Sequence, residues 1–93
     1  MPRVVLASAV ARRVRPDGGE LALDAQGATL ADALADVYAR HPNLRGYVVD
    51  EHGRVRHHVA IFIDGVALAD KSRLDVPLRE TAEVYVIQAL SGG

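Results

Sequence analysis

The 93-residue chain contains no cysteine. This excludes a disulfide framework, a thiolate zinc site, a thiolate-held iron–sulfur cluster and a nucleophilic thiol. If the protein handles sulfur, that sulfur does not sit on a side-chain thiol. Long apolar runs are absent too. The longest, Val4 to Ala11 with Ser8 inside it, is too short to span a bilayer. It also starts too near Met1, and lacks a following cleavage-like pattern, to read as a signal peptide. The expectation is a cytoplasmic protein with no membrane association. Nor is there an excess of either charge: the formal net charge of -1 gives no general pull toward nucleic acid or an acidic surface. Repeats, low-complexity stretches and linkers are missing as well. The length suits a single domain, 1–93, with one modest core. An apolar share of 49% with 25% charged residues is ordinary globular composition and argues against disorder.

The elements follow from periodicity. Val4, Leu6, Val10 and Val14 share one parity, which predicts a strand over Val4–Val14. Pro16-Asp17-Gly18-Gly19 is turn chemistry, and Glu20 to Asp24 alternates again, which predicts an N-terminal hairpin. A helix comes next. Thr29 takes the N-cap position, with Asp32 three residues on. Leu30, Ala33, Leu34, Val37 and Tyr38 form one apolar stripe, and Asp32 and Asp36 face away from it. Arg40 and His41 suit the negative end of the helix dipole, and Pro42 stops the run.

Residues 43–53 carry no clear period, although Leu44, Tyr47 and Val48 are available to the core and Asp50-Glu51-His52-Gly53 reads as a turn. Arg56 to Ile63 reads as a strand, with Val59, Ile61 and Ile63 on one side and His58, Ala60 and Phe62 on the other. Asp64-Gly65 predicts a tight hairpin into Val66-Ala67-Leu68. The stretch 70–77 is a connection. Glu83 to Leu90 reads as the last strand, with Val84 and Val86 inward and Tyr85 and Ile87 outward.

One amphipathic helix covers only one face of a small sheet. This order of elements predicts an α+β fold: a β-grasp, ubiquitin-like roll with a mixed sheet and one main helix on one face. The first and last strands are expected as central parallel neighbours. A ferredoxin-like split fold would need a second long helix, and none is visible between Ala69 and Ala82.

The order of elements, the final strand Glu83-Val84-Tyr85-Val86-Ile87 and the closing Gln88-Ala89-Leu90-Ser91-Gly92-Gly93 together resemble the MoaD/ThiS family of ubiquitin-like sulfur carriers. Within it the chain is most similar to the CysO branch, through Gly18-Gly19 and the Gly53-Arg54-Val55-Arg56-His57 lead into a strand. Gln88 stands where many members carry proline. The resemblance implies a carrier rather than an enzyme. An E1-like enzyme would use ATP to adenylate the carboxylate of Gly93, and sulfur would displace AMP to leave a thiocarboxylate. No cofactor is implied on the carrier itself. A sulfur-accepting enzyme, cysteine synthase-like or the large subunit of molybdopterin synthase, would then take the sulfur. Gly92 would give the backbone access to a narrow channel, within a flexible tail over residues 90–93. The alternatives are the small subunit of molybdopterin synthase, a ubiquitin-like modifier conjugated to lysines, and an interaction module with an inert tail.

Phe62, Tyr85 and Ile87 are expected on the sheet face opposite the helix, with Leu90 beyond them, as candidate partner-binding residues. Arg12, Arg13 and Arg15 form a basic cluster that reads first as a solvated strand end, with contact to an acidic partner patch or a nucleic acid as the alternatives. His41, His52, His57 and His58 offer no metal-ligand spacing, because adjacent residues of a strand point to opposite faces, and no metal site is expected.

Overall fold

A computed structural model of the chain describes residues 1–89. Five strands and three helices follow in the order β1 (Arg3–Leu6), α1 (Ser8–Ala11), β2 (Leu21–Asp24), α2 (Leu30–Arg40), α3 (Pro42–Val48), β3 (Val59–Ile63), β4 (Val66–Ala67) and β5 (Glu83–Gln88). The strands form one mixed sheet in the order β2-β1-β5-β3-β4. β1 and β5 run parallel side by side, with Arg3 opposite Glu83 and Leu6 opposite Val86. β2 pairs antiparallel with β1, and β3 antiparallel with β5. This is the β-grasp arrangement expected from the order of elements.

The N-terminal strand is shorter than its parity suggests. It stops at Leu6, and Ser8–Ala11 turns into α1 with Val10 and Ala11 fully buried. Val10 and Val14 lie four residues apart, so their spacing satisfies a helical period as well as an even one. The chain therefore reaches β2 by a long connection, with Gly18 N–H bonded to the Arg15 carbonyl, and not by a tight hairpin.

α2 matches its stripe. Leu30, Ala33, Leu34 and Val37 are buried, and the Thr29 hydroxyl accepts the Asp32 N–H at 3.2 Å. The other N–H groups of the first turn are also satisfied. Leu30 donates to Val76 and Ala31 to Leu74 at 2.9 and 2.8 Å, and Ala33 donates to Thr29. The 69–82 connection thus holds the helix start through its own carbonyls. Asp36 is not simply solvated: its Oδ2 accepts the Gln26 main-chain N–H at 2.9 Å and pairs with Arg40.

α2 ends where expected, but Pro42 also opens a new helix, since its fixed φ and missing N–H suit a first helical position. Leu44 and Val48 of α3, four residues apart, enter the core. Asp50 then caps a turn by accepting the N–H groups of His52 and Arg54, and Gly53 takes φ +77°. β3 begins at Val59, three residues later than its parity suggests, because Val59 N–H closes a turn onto the Arg56 carbonyl. Asp64 and Gly65 take φ +50° and +84°, the left-handed pair that a two-residue hairpin demands.

The core lies between the sheet and α2. Val4, Leu6, Val59, Ile61, Val84 and Val86 meet Leu30, Leu34 and Val37, and Val10, Leu44 and Val48 close its ends.

Candidate functional site

β5 lies between β1 and β3, so both of its edges are hydrogen-bonded. Its last rung pairs Gln88 with Val59, and beyond it the Ala89 N–H donates to the His58 carbonyl at 2.7 Å. The sheet therefore sets the direction of the chain up to Ala89. Leu90, a candidate partner-binding residue, and Gly92 and Gly93, assigned to the tail chemistry, lie outside the described residues.

Four side chains gather at this point. The Tyr47 hydroxyl donates to Gln88 Oε1 at 3.2 Å. The Tyr47 and His58 rings meet edge to face at 4.9 Å. The Arg13 guanidinium lies 4.3 Å over the Tyr47 ring, a cation–π contact. Arg13, read from sequence as part of a solvated strand end, thus reaches across to α3. Gln88 and Tyr47 are 41 residues apart, and no local pattern signals their pairing.

His57 and His58 correct the strand-based reading of their directions. Both lie on the turn before β3, with rings 6.0 Å apart, and both line one cavity of about 390 Å³. Arg54, Arg56 and Lys71 line it as well, with Val55 and Asp50. Burial lowers the His58 pKa, and the charges of His57, Arg56, Arg13 and Lys71 lower it further. Among the described residues, no group of three or more His, Asp or Glu side chains could hold a metal ion.

The outer sheet face carries the remaining candidates. Phe62 lies opposite Tyr85, and Ile87 opposite Ala60, so the three share the face away from α2. All three are half-buried, and Val5, paired with Tyr85, is almost wholly covered. The Tyr85 hydroxyl donates to the Glu20 carboxylate, and this bond chiefly raises the Tyr85 pKa. A second cavity, of about 490 Å³, lies between α2 and the 72–75 segment. Tyr38 lines it; its hydroxyl is buried without a hydrogen-bond partner among the described residues, and burial raises its pKa. None of His58, Gln88 or Ala89 touches that cavity.

The model of the ThiS family matches residues 7–93, nearly the whole chain. The chain belongs to the ThiS family. This ThiS-family protein shares its fold with ubiquitin-like carriers and modifiers of known structure. SAMP1 from Haloferax volcanii is 25% identical with a TM-score of 0.74, covering 99% of this chain and 98% of that one. CysO in the Amycolatopsis orientalis BexX/CysO complex is 20% identical with a TM-score of 0.76, covering 97% and 99%. Mycobacterium tuberculosis CysO is 18% identical with a TM-score of 0.75, covering 94% and 99%. No curated protein matches the sequence significantly. No helix of the described residues is long and apolar enough to cross a membrane.

Proposed function

We propose that the protein is a sulfur carrier whose Gly93 carboxylate is converted to a thiocarboxylate. The observation that carries this reading is the family match running through Gly93, on a fold that directs the chain toward its tail from a central strand. A carboxylate is a poor electrophile, because its charge repels nucleophiles and oxide is a poor leaving group. An E1-like enzyme would let a carboxylate oxygen attack the α-phosphorus of ATP, with pyrophosphate leaving. Hydrosulfide would then attack the acyl carbon and expel AMP, placing sulfur on Gly93 as a soft nucleophile. Gly92, without a Cβ, would let the backbone enter a narrow channel. Phe62, Tyr85, Ile87 and Leu90 would dock the body. The carrier supplies no catalytic group of its own in this scheme, and ATP is bound by the enzyme. The sulfur-accepting partner would be a cysteine synthase-like enzyme or a molybdopterin synthase large subunit; in the latter case the chain would serve as the small subunit. The likeness to CysO, whose structure is that of a complex with BexX, supports a partnership with another protein. The cytoplasm is the compartment in which this cycle would run.

The test is intact-mass analysis after incubation with the E1-like enzyme, ATP and sulfide. Replacement of one oxygen by one sulfur is expected on the full chain and not on a chain lacking Gly93. A truncated chain that still gains sulfur at the full rate overturns the reading.

A second reading, a protein modifier joined to lysines, is favoured by the likeness to SAMP1, small archaeal modifier protein 1. Lysine-linked adducts in the same incubation would distinguish it.

A further inference from the structure

The basic cavity beside His58 is a built surface, and the carrier chemistry leaves it unused. The protein as a whole has a net charge of -1, yet this cavity gathers the cations Arg54, Arg56 and Lys71, with the imidazoles of His57 and His58 as further donors, against a single carboxylate, Asp50. One Asp50 oxygen already accepts two main-chain N–H groups. Arg54, Arg56 and Lys71 form no ion pair among the described residues, whereas Arg3, Arg40, Arg73 and Arg79 each have a carboxylate partner. Two of the cations are fixed in place by main-chain acceptors. Arg56 Nε donates to the Gly46 carbonyl at 2.8 Å, and Lys71 Nζ to the carbonyls of Arg56 and His57 at 3.3 and 3.4 Å. Anchored cations lose less side-chain freedom when they bind.

The position of the cavity selects its ligand. His58, on its wall, also accepts the Ala89 N–H through its main-chain carbonyl, so the cavity adjoins the strand end where the chain leaves the sheet. From Ala89 to Gly93 an extended backbone spans roughly 13 Å, at about 3.3 Å per residue. On a tail extended into a channel, a nucleotide joined to Gly93 would lie about that far from Ala89. What meets the cavity when the tail enters a channel is the protein surface around the channel mouth.

We propose that Arg54, Arg56, His57, His58 and Lys71 form a docking site for aspartate and glutamate side chains at the channel mouth of the enzyme that receives the tail. The proposal rests on the carrier reading. The site steers association and fixes the orientation of the body, while the outer sheet face supplies the apolar contact.

The experiment uses the full chain and its E1-like enzyme. Arg54 and His57 have exposed side chains that make no hydrogen bond among the described residues, so Arg54→Glu with His57→Glu should leave the melting midpoint unchanged. Titration calorimetry should show affinity for the enzyme about tenfold weaker in the double variant at low salt, with a flattened salt dependence. Arg54→Lys with His57→Lys should retain the wild-type affinity. Equal affinity and equal salt dependence in the Glu variant and the wild type overturn the docking site, while a wild-type chain that still gains sulfur preserves the carrier reading. A wild-type chain that neither binds the enzyme nor gains sulfur overturns both. Unchanged enzyme affinity together with lost binding to single-stranded RNA also overturns the docking site, in favour of a nucleic-acid surface.

Discussion

Asp36 Oδ2 accepts the Gln26 main-chain N–H at 2.9 Å, so the outer side of α2 is tied to the chain leaving β2. The same oxygen lies 3.2 Å from Arg40, whose guanidinium also reaches the Asp24 carbonyl at 2.6 Å. Asp36→Ala removes an anchor as well as a surface charge and should cost about 1 kcal/mol in a denaturant melt. Leu34→Ala, at a site only 2% exposed, should cost about 2–5 kcal/mol through lost burial and a cavity. An Asp36→Ala protein as stable as the wild type would show that the Gln26 bond contributes nothing.

Two neighbouring residues of β5 separate folding from docking. Val86 is fully buried in the core, and Ile87 is half-buried on the opposite face of the sheet. Val86→Asp places an unpaired carboxylate in the core and should unfold the protein. Ile87→Asp should keep the fold, with a lower melting midpoint, and weaken binding to the E1-like enzyme by at least about tenfold. Melts and calorimetry on both variants check this. Undiminished binding by Ile87→Asp would move the docking surface off this face.

Acid should weaken the fold in a definite window. The pKa of Asp50, Asp64 and Asp70 is held below the ordinary value of 3.8. The chief causes are the Arg54 N–H for Asp50, the Glu83 N–H for Asp64 and the Ser72 hydroxyl for Asp70. A folded-state pKa below the unfolded one stabilises the fold above the unfolded value, and that stabilisation is lost as pH falls through the folded value. These three groups should therefore leave the melting midpoint level at neutral pH and lower it below about pH 4. Asp64→Asn should make the decline shallower. An equally steep decline would show that the Glu83 bond survives protonation.

Lys71 is the only lysine in the chain. Its amine donates to two carbonyls, so a self-linked polymer would have to form there or at the amino terminus. Lys71→Arg should leave sulfur loading unchanged, because a guanidinium retains the donors and the charge. High-mass adducts formed by the wild type and absent from Lys71→Arg would favour the modifier reading.

Several elements were legible because their signals are local. The stripe, cap and proline of α2 lie within one stretch, and the alternation in β3 and β5 assigns Val84, Val86 and Phe62 to their faces. α1 was hidden because Val10 and Val14 suit two periods at once. α3 was hidden because one buried pair, Leu44 and Val48, leaves too little period to read across Gly46. The surroundings of Ala89 were not legible at all. Arg13, Tyr47, His58, Lys71 and Gln88 come from separate segments, and only the closed sheet brings them together. Asp36 faces away from the apolar stripe, as the helix period indicates, but its bond to Gln26 has no local signal because Gln26 lies before the helix.

The central place of β5 also bears on when the protein becomes usable. Pairing Arg3 with Glu83 closes a loop through most of the chain, and contacts this distant form late because the entropy of closure must be met first. Ala89, which follows Gln88, depends on this last closure for its direction. A nascent or partly unfolded chain could contain an intact α2 and β3–β4 hairpin and still have no β5 at the sheet centre to aim Ala89. On the carrier reading, a partner that recognises where Ala89 emerges tests the maturity of the whole domain, and incomplete molecules escape loading without any separate surveillance step.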